Sequence, residues 1–275
     1  MAKRRRRWRL LYGFLLTGVL LYAWAGWFEP SFLEVTRHRI PLRIERPITL
    51  VHLTDVHTNG FWRKERGVAA RLAELSPDVI VLTGDTLHQG GTFEECRPFL
   101  SRLSAPLGVF MVSGNWETAC KNRLPRGMNL REFLASCGVR LLQNEHVEIA
   151  PGLFLIGLDD YVWGIPDLER ATRGIPAGAA RVALIHEPGF FDEPAGPDGP
   201  GYDLLLAGHT HGGQVRVPFL PPLYLPAGCS HYVEGWYERP GARLYVSRGV
   251  GMSGPKFRFL CRPELAVHQL VPLAQ

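Results

Sequence analysis

The sequence predicts an α/β layered fold. Short apolar runs of strand type recur along the chain, they end in polar residues, and segments of helical period lie between several of them. A length of 275 residues, 46% hydrophobic and 21% charged, supports one sizeable core without signs of disorder or low complexity. One large domain is therefore expected after an N-terminal segment of a different kind.

That segment comes first. Between Arg9 and Glu29 lie nineteen uncharged residues, LLYGFLLTGVLLYAWAGWF, close to the length that crosses a bilayer, with Trp8, Tyr22, Trp24 and Trp27 toward the ends. Residues 1–9 form a basic segment, and residues 10–28 are expected to be a transmembrane anchor or uncleaved signal. A buried core helix needs no run of basic residues before it. Arginines retained in the cytoplasm would put the domain on the extracytoplasmic side, whereas Arg37, Arg39, Arg43 and Arg46 on the other flank leave a cytoplasm-facing domain open. Ala23-Trp24-Ala25 also resembles a cleavage site, and the consecutive arginines a twin-arginine export signal. The uncleaved single-pass anchor is the reading carried forward.

Lys3, Arg4, Arg5, Arg6, Arg7 and Arg9 together exceed the formal net charge of +5, so the remainder is about neutral. No distributed basic stripe is left to neutralise phosphates, and a nucleic-acid partner is not expected.

Residues 29–46 read as a connector and 47–275 as the domain. ITLVHLT (48–54) runs into Asp55-Val56-His57, and RKERGVAARLAEL (63–75) repeats Val68, Leu72 and Leu75 at helical spacing. DVIVLTG (78–84) runs into Asp85, and GVFMVSG (108–114) into Asn115. FEECRPFLSRL (93–103) and NLREFLASCG (129–138) are further helical segments. RVALI (181–185) ends at His186, and DLLLAG (203–208) at His209-Thr210-His211. Additional strands are expected at 139–149, 153–158, 242–247 and 264–270, with Pro-rich loops at 187–202 and 218–240. Cys96, Cys120, Cys137, Cys229 and Cys261 have no metal-finger spacing and an odd count, so they decide neither compartment nor site.

Open α/β sheets carry their sites outside the carboxyl ends of the strands. Here those ends bear Asp55, His57, Asp85, Asn115, His186, His209 and His211. Any one of them alone is an ordinary cap or polar residue. Their joint arrival at strand ends points to a metal site instead.

With Asp55-x-His57, Gly84-Asp85, Gly114-Asn115, His186 and Gly208-His209-Thr210-His211 in this order, the chain resembles the calcineurin-type metallophosphoesterases. The likeness extends over about residues 47–270, including Gly212-Gly213-Gln214 and SRGVGMSGPKFRF (247–259). It implies a four-layer αββα sandwich and two divalent metal ions, for which the mixed imidazole and oxygen set suits Mn, Fe or Zn. It also implies one ion on Asp55, His57, Asp85 and His211, and the other on Asp85, Asn115, His186 and His209, with Asp85 shared. Such a pair activates water and neutralises phosphoryl oxygens, so no protein nucleophile is required.

One motif position departs from the family. Trp116 follows Asn115 where many members have a histidine that protonates the leaving alkoxide. Indole donates one hydrogen bond and cannot act as a general acid. Three readings stay open: Trp116 packs the site wall while His88 or His231 supplies the proton, the leaving group needs little protonation, or catalysis is lost and a metal-binding scaffold remains. The apolar loop VPFLPPLYLPAGCSHYVEGWY (217–237) either packs over a sheet edge, or forms a wall for a lipid-bearing substrate or a contact with the bilayer.

The expected function is a membrane-anchored binuclear phosphohydrolase cleaving a phosphodiester or phosphoanhydride bond of a lipid-linked or envelope-associated substrate. Asp85, Asn115, Trp116 and His88 are its candidate catalytic residues. The alternatives are a UDP-diacylglucosamine pyrophosphatase-like enzyme of lipid A synthesis, which needs a cytoplasm-facing domain, and the non-catalytic scaffold.

Overall fold

The computed structural model describes residues 2–193 and 201–273. Strands β1 (Glu34–Leu42), β2 (Ile48–Leu53), β3 (Val79–Thr83), β4 (Val109–Val112) and β5 (Arg140–Leu141) enter one six-stranded sheet. Strands β6 (Glu145–Ala150), β7 (Leu153–Gly157), β8 (Ala180–Leu184), β9 (Leu204–Ala207), β10 (Gly235–Arg239) and β11 (Ala242–Val246) form a second six-stranded sheet. The last strand, β12 (Glu264–Pro272), returns to the first sheet between β1 and β2. The orders are β1-β12-β2-β3-β4-β5 and β10-β11-β9-β8-β7-β6.

Layering follows from alternation. In β3, Val79 and Val81 face the second sheet, while Ile80 and Leu82 face the helices, so both faces of the strand are apolar. Leu155, Val182, Leu184, Leu204 and Leu206 answer from the second sheet and complete the central core. Outside the first sheet pack helices α2 (Arg63–Leu75), α3 (Phe93–Leu100) and α5 (Leu130–Ser136), through Val68, Leu72, Phe99 and Phe133. The outer layer of the second sheet is thinner. Short helix α6 (Leu168–Thr172) and the turn Pro188–Asp192 cover it with Ala171, Phe190 and Phe191. The α/β sandwich expected from the sequence is present, with this uneven fourth layer.

Four elements differ from the expectation. The connector 29–46 contains β1, which pairs parallel with β12; its Arg37 and Arg39 belong to an edge strand and mask its strand pattern. The single strand read over 139–149 divides at Asn144, whose φ of 52° turns the chain from β5 in one sheet to β6 in the other. Within the Pro-rich loop 218–240, Gly235–Arg239 forms β10 and pairs antiparallel with β11. Residue Asn115 opens a short helix, α4 (Asn115–Ala119), which the sequence reading did not include. Of the other Pro-rich loop, residues 194–200 lie outside the described residues.

At the N-terminus, α1 (Ala2–Ala23) continues through a wider turn, Trp24–Phe28. The segment Arg5–Ser31 is long and apolar enough to cross a bilayer, and only 6% of its most apolar window is buried. Apart from its last turns, where Ala25 is buried, its apolar side chains therefore stay exposed.

A histidine row crosses the first sheet. His38 pairs with His268 in register, and the ring of His268 stands 5.9 Å from that of His52. Both His52 and His268 are fully buried, and neither ring nitrogen of His268 has a hydrogen-bond partner among the described residues. Burial pushes the pKa of His52 down to about 3 and that of His268 well below the usual value. A depressed histidine pKa means the unfolded chain binds more protons than the folded one at acid pH. Stability is thus full above about pH 6.5 and falls as pH drops toward the folded pKa, by about 1.4 kcal/mol per pH unit for each such group. We expect His268→Leu to flatten the acid side of a fluorescence-monitored melting curve series by about that slope. An unchanged slope between pH 6.5 and 4.5 would show that this core does not control acid stability.

Candidate metal centre

The parallel strands β2, β3 and β4 in one sheet and β8 and β9 in the other end at one edge of the sandwich. Asp55 follows β2, Asp85 follows β3, Asn115 follows β4, His186 follows β8, and His209 follows β9. Five of the residues there have left-handed backbone: Asp55 (φ 52°), His57 (45°), Asp85 (51°), His209 (69°) and His211 (51°). Non-glycine residues avoid that region, so the surrounding structure holds all five against a local cost.

Hydrogen bonds between the sheets do much of the holding. The backbone N–H of His209 donates to Asp55 Oδ2 at 2.8 Å, and His186 Nδ1 donates to the Thr83 carbonyl at 2.6 Å. Thr54 adds its hydroxyl to Asp55 Oδ2 at 2.8 Å. The strand ends of both sheets thereby close on a common centre.

Two groups of donors result. Asp55, His57 and His211 form one, and Asp85, His186 and His209 the other, with all donor atoms of a group within 4.8 Å of one another and every residue buried. Asp85 Oδ2 lies between the groups, 3.4 Å from His186 Nε2 and 3.8 Å from His57 Nε2. Its other oxygen is engaged, since Asp85 Oδ1 accepts the Trp116 backbone N–H at 2.9 Å. The oxygen that faces both groups is thus Oδ2.

The residues fit divalent cations on two counts. Asp55 Oδ1 and Asn115 Oδ1 are buried acceptors without a hydrogen-bond partner among the described residues, a costly state unless a cation faces them. The second count is the state of the imidazoles. Carbonyls of Leu87 and Thr83 face the Nδ1 atoms of His57 and His186, and that of Ala227 faces His209 Nε2 at 2.9 Å, leaving the opposite nitrogen of each ring for a metal. Burial lowers the pKa of His57 and His211 and takes that of His209 down to about 3, so these rings are in the neutral, ligating form. Asp85 is pushed the other way, up to about 7, first by burial and further by Glu117 and Asp55. A nearby cation reverses that bias.

A cavity of about 490 Å³ opens onto the centre. Asp85, Asn115, His209 and His211 stand at its floor; Trp116, Leu223, Tyr224, Pro226 and Phe257 supply apolar walls. The other named residues lie elsewhere. His88 stands beside the cavity lining, its Nε2 2.5 Å from Lys256 Nζ, and burial together with Lys256 and Lys64 lowers its pKa. His231 packs against Tyr232 in a tilted arrangement with ring centroids 4.1 Å apart, outside the cavity lining.

Sequence reasoning missed two supporting residues. Glu117 is buried and accepts the backbone N–H groups of Asp85 at 2.8 Å, Leu87 at 2.9 Å and Gly114 at 3.0 Å, tying two strand ends together. Its place at the third residue of α4 after Gly114 was the available signal. Arg258, fully buried, donates to the carbonyls of Arg248, Gly249 and Gly251 beside His211 Nδ1, which is 3.4 Å away. No spacing in the sequence marks it.

Comparison with known proteins agrees with this geometry. The family model for calcineurin-like phosphoesterases matches residues 48–213. The metallophosphoesterase YkuE of Bacillus subtilis is 29% identical over 98% of this chain and 99% of its own. Phosphodiesterase YaeI of Escherichia coli is 30% identical, covering 91% of this chain and 93% of its own. The UDP-2,3-diacylglucosamine pyrophosphatase LpxG of Chlamydia trachomatis is 25% identical over 92% and 94%.

Proposed function

Because the chain belongs to the calcineurin-like phosphoesterase family, and is a hydrolase of that kind, we propose that it is a membrane-anchored binuclear enzyme cleaving a phosphodiester or phosphoanhydride bond in a lipid-linked substrate. The observation that carries this reading is the joint lining of one cavity by both donor groups and by an apolar wall. Two bound divalent ions would supply an activated water and charge neutralisation. Asp55, His57, Asp85 and His211 would hold one, and Asp85, Asn115, His186 and His209 the other.

The chain's own groups shape the rest. Asn115 gives a neutral oxygen, which keeps negative charge low where an anionic phosphate must settle. Trp116 is fixed by its backbone bond to Asp85, packs against the core between the first sheet and its helices and lines the cavity, so it forms a wall and offers no proton. Leaving groups already stabilised as anions suit such a site better than alkoxides do. The anhydride branch of the proposal is the one that Trp116 favours, and the pyrophosphatase activity named for the Chlamydia relative supports it as a second, narrower reading.

The test is a substrate panel on the wild type and Trp116→His with added Mn. Wild type should favour a nucleotide-leaving pyrophosphate lipid or an activated nitrophenyl diester over a dialkyl diester. The histidine variant should raise dialkyl diester turnover by roughly 10²-fold, the lower reach of general acid catalysis. Equal effects on all substrates would remove Trp116 from leaving-group selection. A C-terminal reporter active only outside the cytoplasm would leave the broad reading standing and eliminate the narrow one.

A further inference from the structure

The anchor does not leave the domain as a loose tether. Glu29, at its end, is buried and accepts the Cys261 backbone N–H at 2.5 Å and Trp24 Nε1 at 2.8 Å. Ala25 accepts the Arg258 backbone N–H at 2.9 Å. The adjoining residue, Phe259, donates its N–H to Gln214 and accepts that of Arg216, the root of the loop that begins at Val217. A single strap, residues 258–261, therefore fixes both the anchor end and the base of this loop.

The surface so assembled is apolar. Between Val217 and Val233 there is no Asp, Glu, Lys or Arg. Phe219 is 105% exposed, and Leu220, Leu223, Tyr224, Leu260, Trp27 and Phe28 are all more than half exposed. Phe219 and Leu260 also have left-handed backbone, at φ 69° and 52°, an unfavourable state for bulky residues that here accompanies outward apolar side chains. Leu223 and Tyr224 of the loop and Phe257 beside the strap also line the cavity above the metal centre.

We propose that the loop tip (217–224), Leu260 and the end of the anchor form one bilayer-contact face, placing the cavity mouth at the lipid surface so that an acylated substrate enters from the membrane. The occupant is a phospholipid interface, argued from continuity with the anchor through the strap. This inference rests on the lipid-substrate reading above and adds the route by which the substrate arrives.

The experiment uses the full chain in phosphatidylcholine/phosphatidylglycerol vesicles. All five native cysteines are buried, so an environment-sensitive fluorophore can be directed to Phe219→Cys, with Arg173→Cys on the exposed end of α6 as the control. Expected is a blue shift and quenching by lipid-borne nitroxides at position 219, with neither at 173. Water-like emission at 219, or a shift that depends on protein density and not on lipid nitroxides, as in pairing of two copies, would overturn the proposal. A second arm uses Phe219→Asp/Leu220→Asp, residues outside the cavity. It should lower kcat/KM on a vesicle-borne phosphodiester by about tenfold and leave a soluble nitrophenyl diester unchanged. Equal activity of the variant on vesicle-borne ester overturns the face alone, whereas a wild type inactive on both esters counts against the hydrolase reading itself.

Discussion

Asp85→Ala should lower kcat on a nitrophenyl phosphodiester by on the order of 10³-fold or more, since charge stabilisation by a metal pair is worth several kcal/mol. The expectation rests on what each atom of this residue does. Oδ2 faces His186 and His57 from between the two donor groups, Oδ1 accepts the Trp116 N–H, and the backbone N–H is held by Glu117. Alanine keeps the last of these and removes the other two. Bound metal should therefore fall along with turnover, and metal analysis of the purified variant checks this directly. Asp85→Asn separates the contributions, because it retains an acceptor for Trp116 while losing the charge. Low turnover is expected from both variants, with α4 better ordered in the amide. Turnover of Asp85→Ala within tenfold of the wild type would mean that the centre lies elsewhere. The raised pKa of Asp85, about 7 when burial acts without a cation, adds a pH consequence. Metal must displace a proton at low pH, so affinity should weaken below neutrality.

The edge that carries the candidate metal ligands was legible because its residues sit at the ends of the most strongly patterned strands. β2, β3, β4, β8 and β9 are mostly apolar and buried on both faces, and such runs stop abruptly where polar residues begin. The six acidic and histidine residues named from those ends fall into the two donor groups, and Asn115 faces the same cavity. What escaped reading was tertiary in origin. Strand β1 is an edge strand whose arginines break the alternation, and it is made a strand by pairing with β12 at the far end of the chain. The break at Asn144 divides two strands that read as one apolar-polar run. Arg258 acts through backbone groups brought together only by folding, which no local spacing encodes, and the place of Glu117 after Gly114 marks a helix start without showing that it also holds Asp85 and Leu87. His88 was named for its proximity in sequence to Asp85, and the structure places it beside the cavity lining with its side chain against Lys256.

Gly208→Ala should be the most damaging small substitution in the scaffold of the site. A Cβ there would lie 2.0 Å from Thr54 Oγ1 and 2.5 Å from Asp55 Oδ2, closer than nonbonded atoms approach. The neighbours have little freedom to yield. Thr54 is fully buried, and its hydroxyl is held within hydrogen-bond distance of both Asp55 Oδ2 and the Thr83 carbonyl. Asp55 Oδ2 is fixed in turn by the N–H of His209, the residue next to the glycine. An added methyl group must therefore separate the strand ends of the two sheets or rotate the Asp55 carboxylate, and either change opens the donor group of Asp55, His57 and His211. Overpacking of this kind costs about 1–3 kcal/mol, which for a chain of this size corresponds to a fall in Tm of roughly 2–4 °C per kcal/mol. Gly67→Ala provides the contrast: it lies inside α2 with no atom within 4 Å of the new Cβ, and alanine there should be neutral or add up to about 1 kcal/mol. The two effects can be read together from melting curves and metal content. Gly208→Ala with an unchanged Tm and a full complement of metal would show that the sheets meet less closely than these distances require.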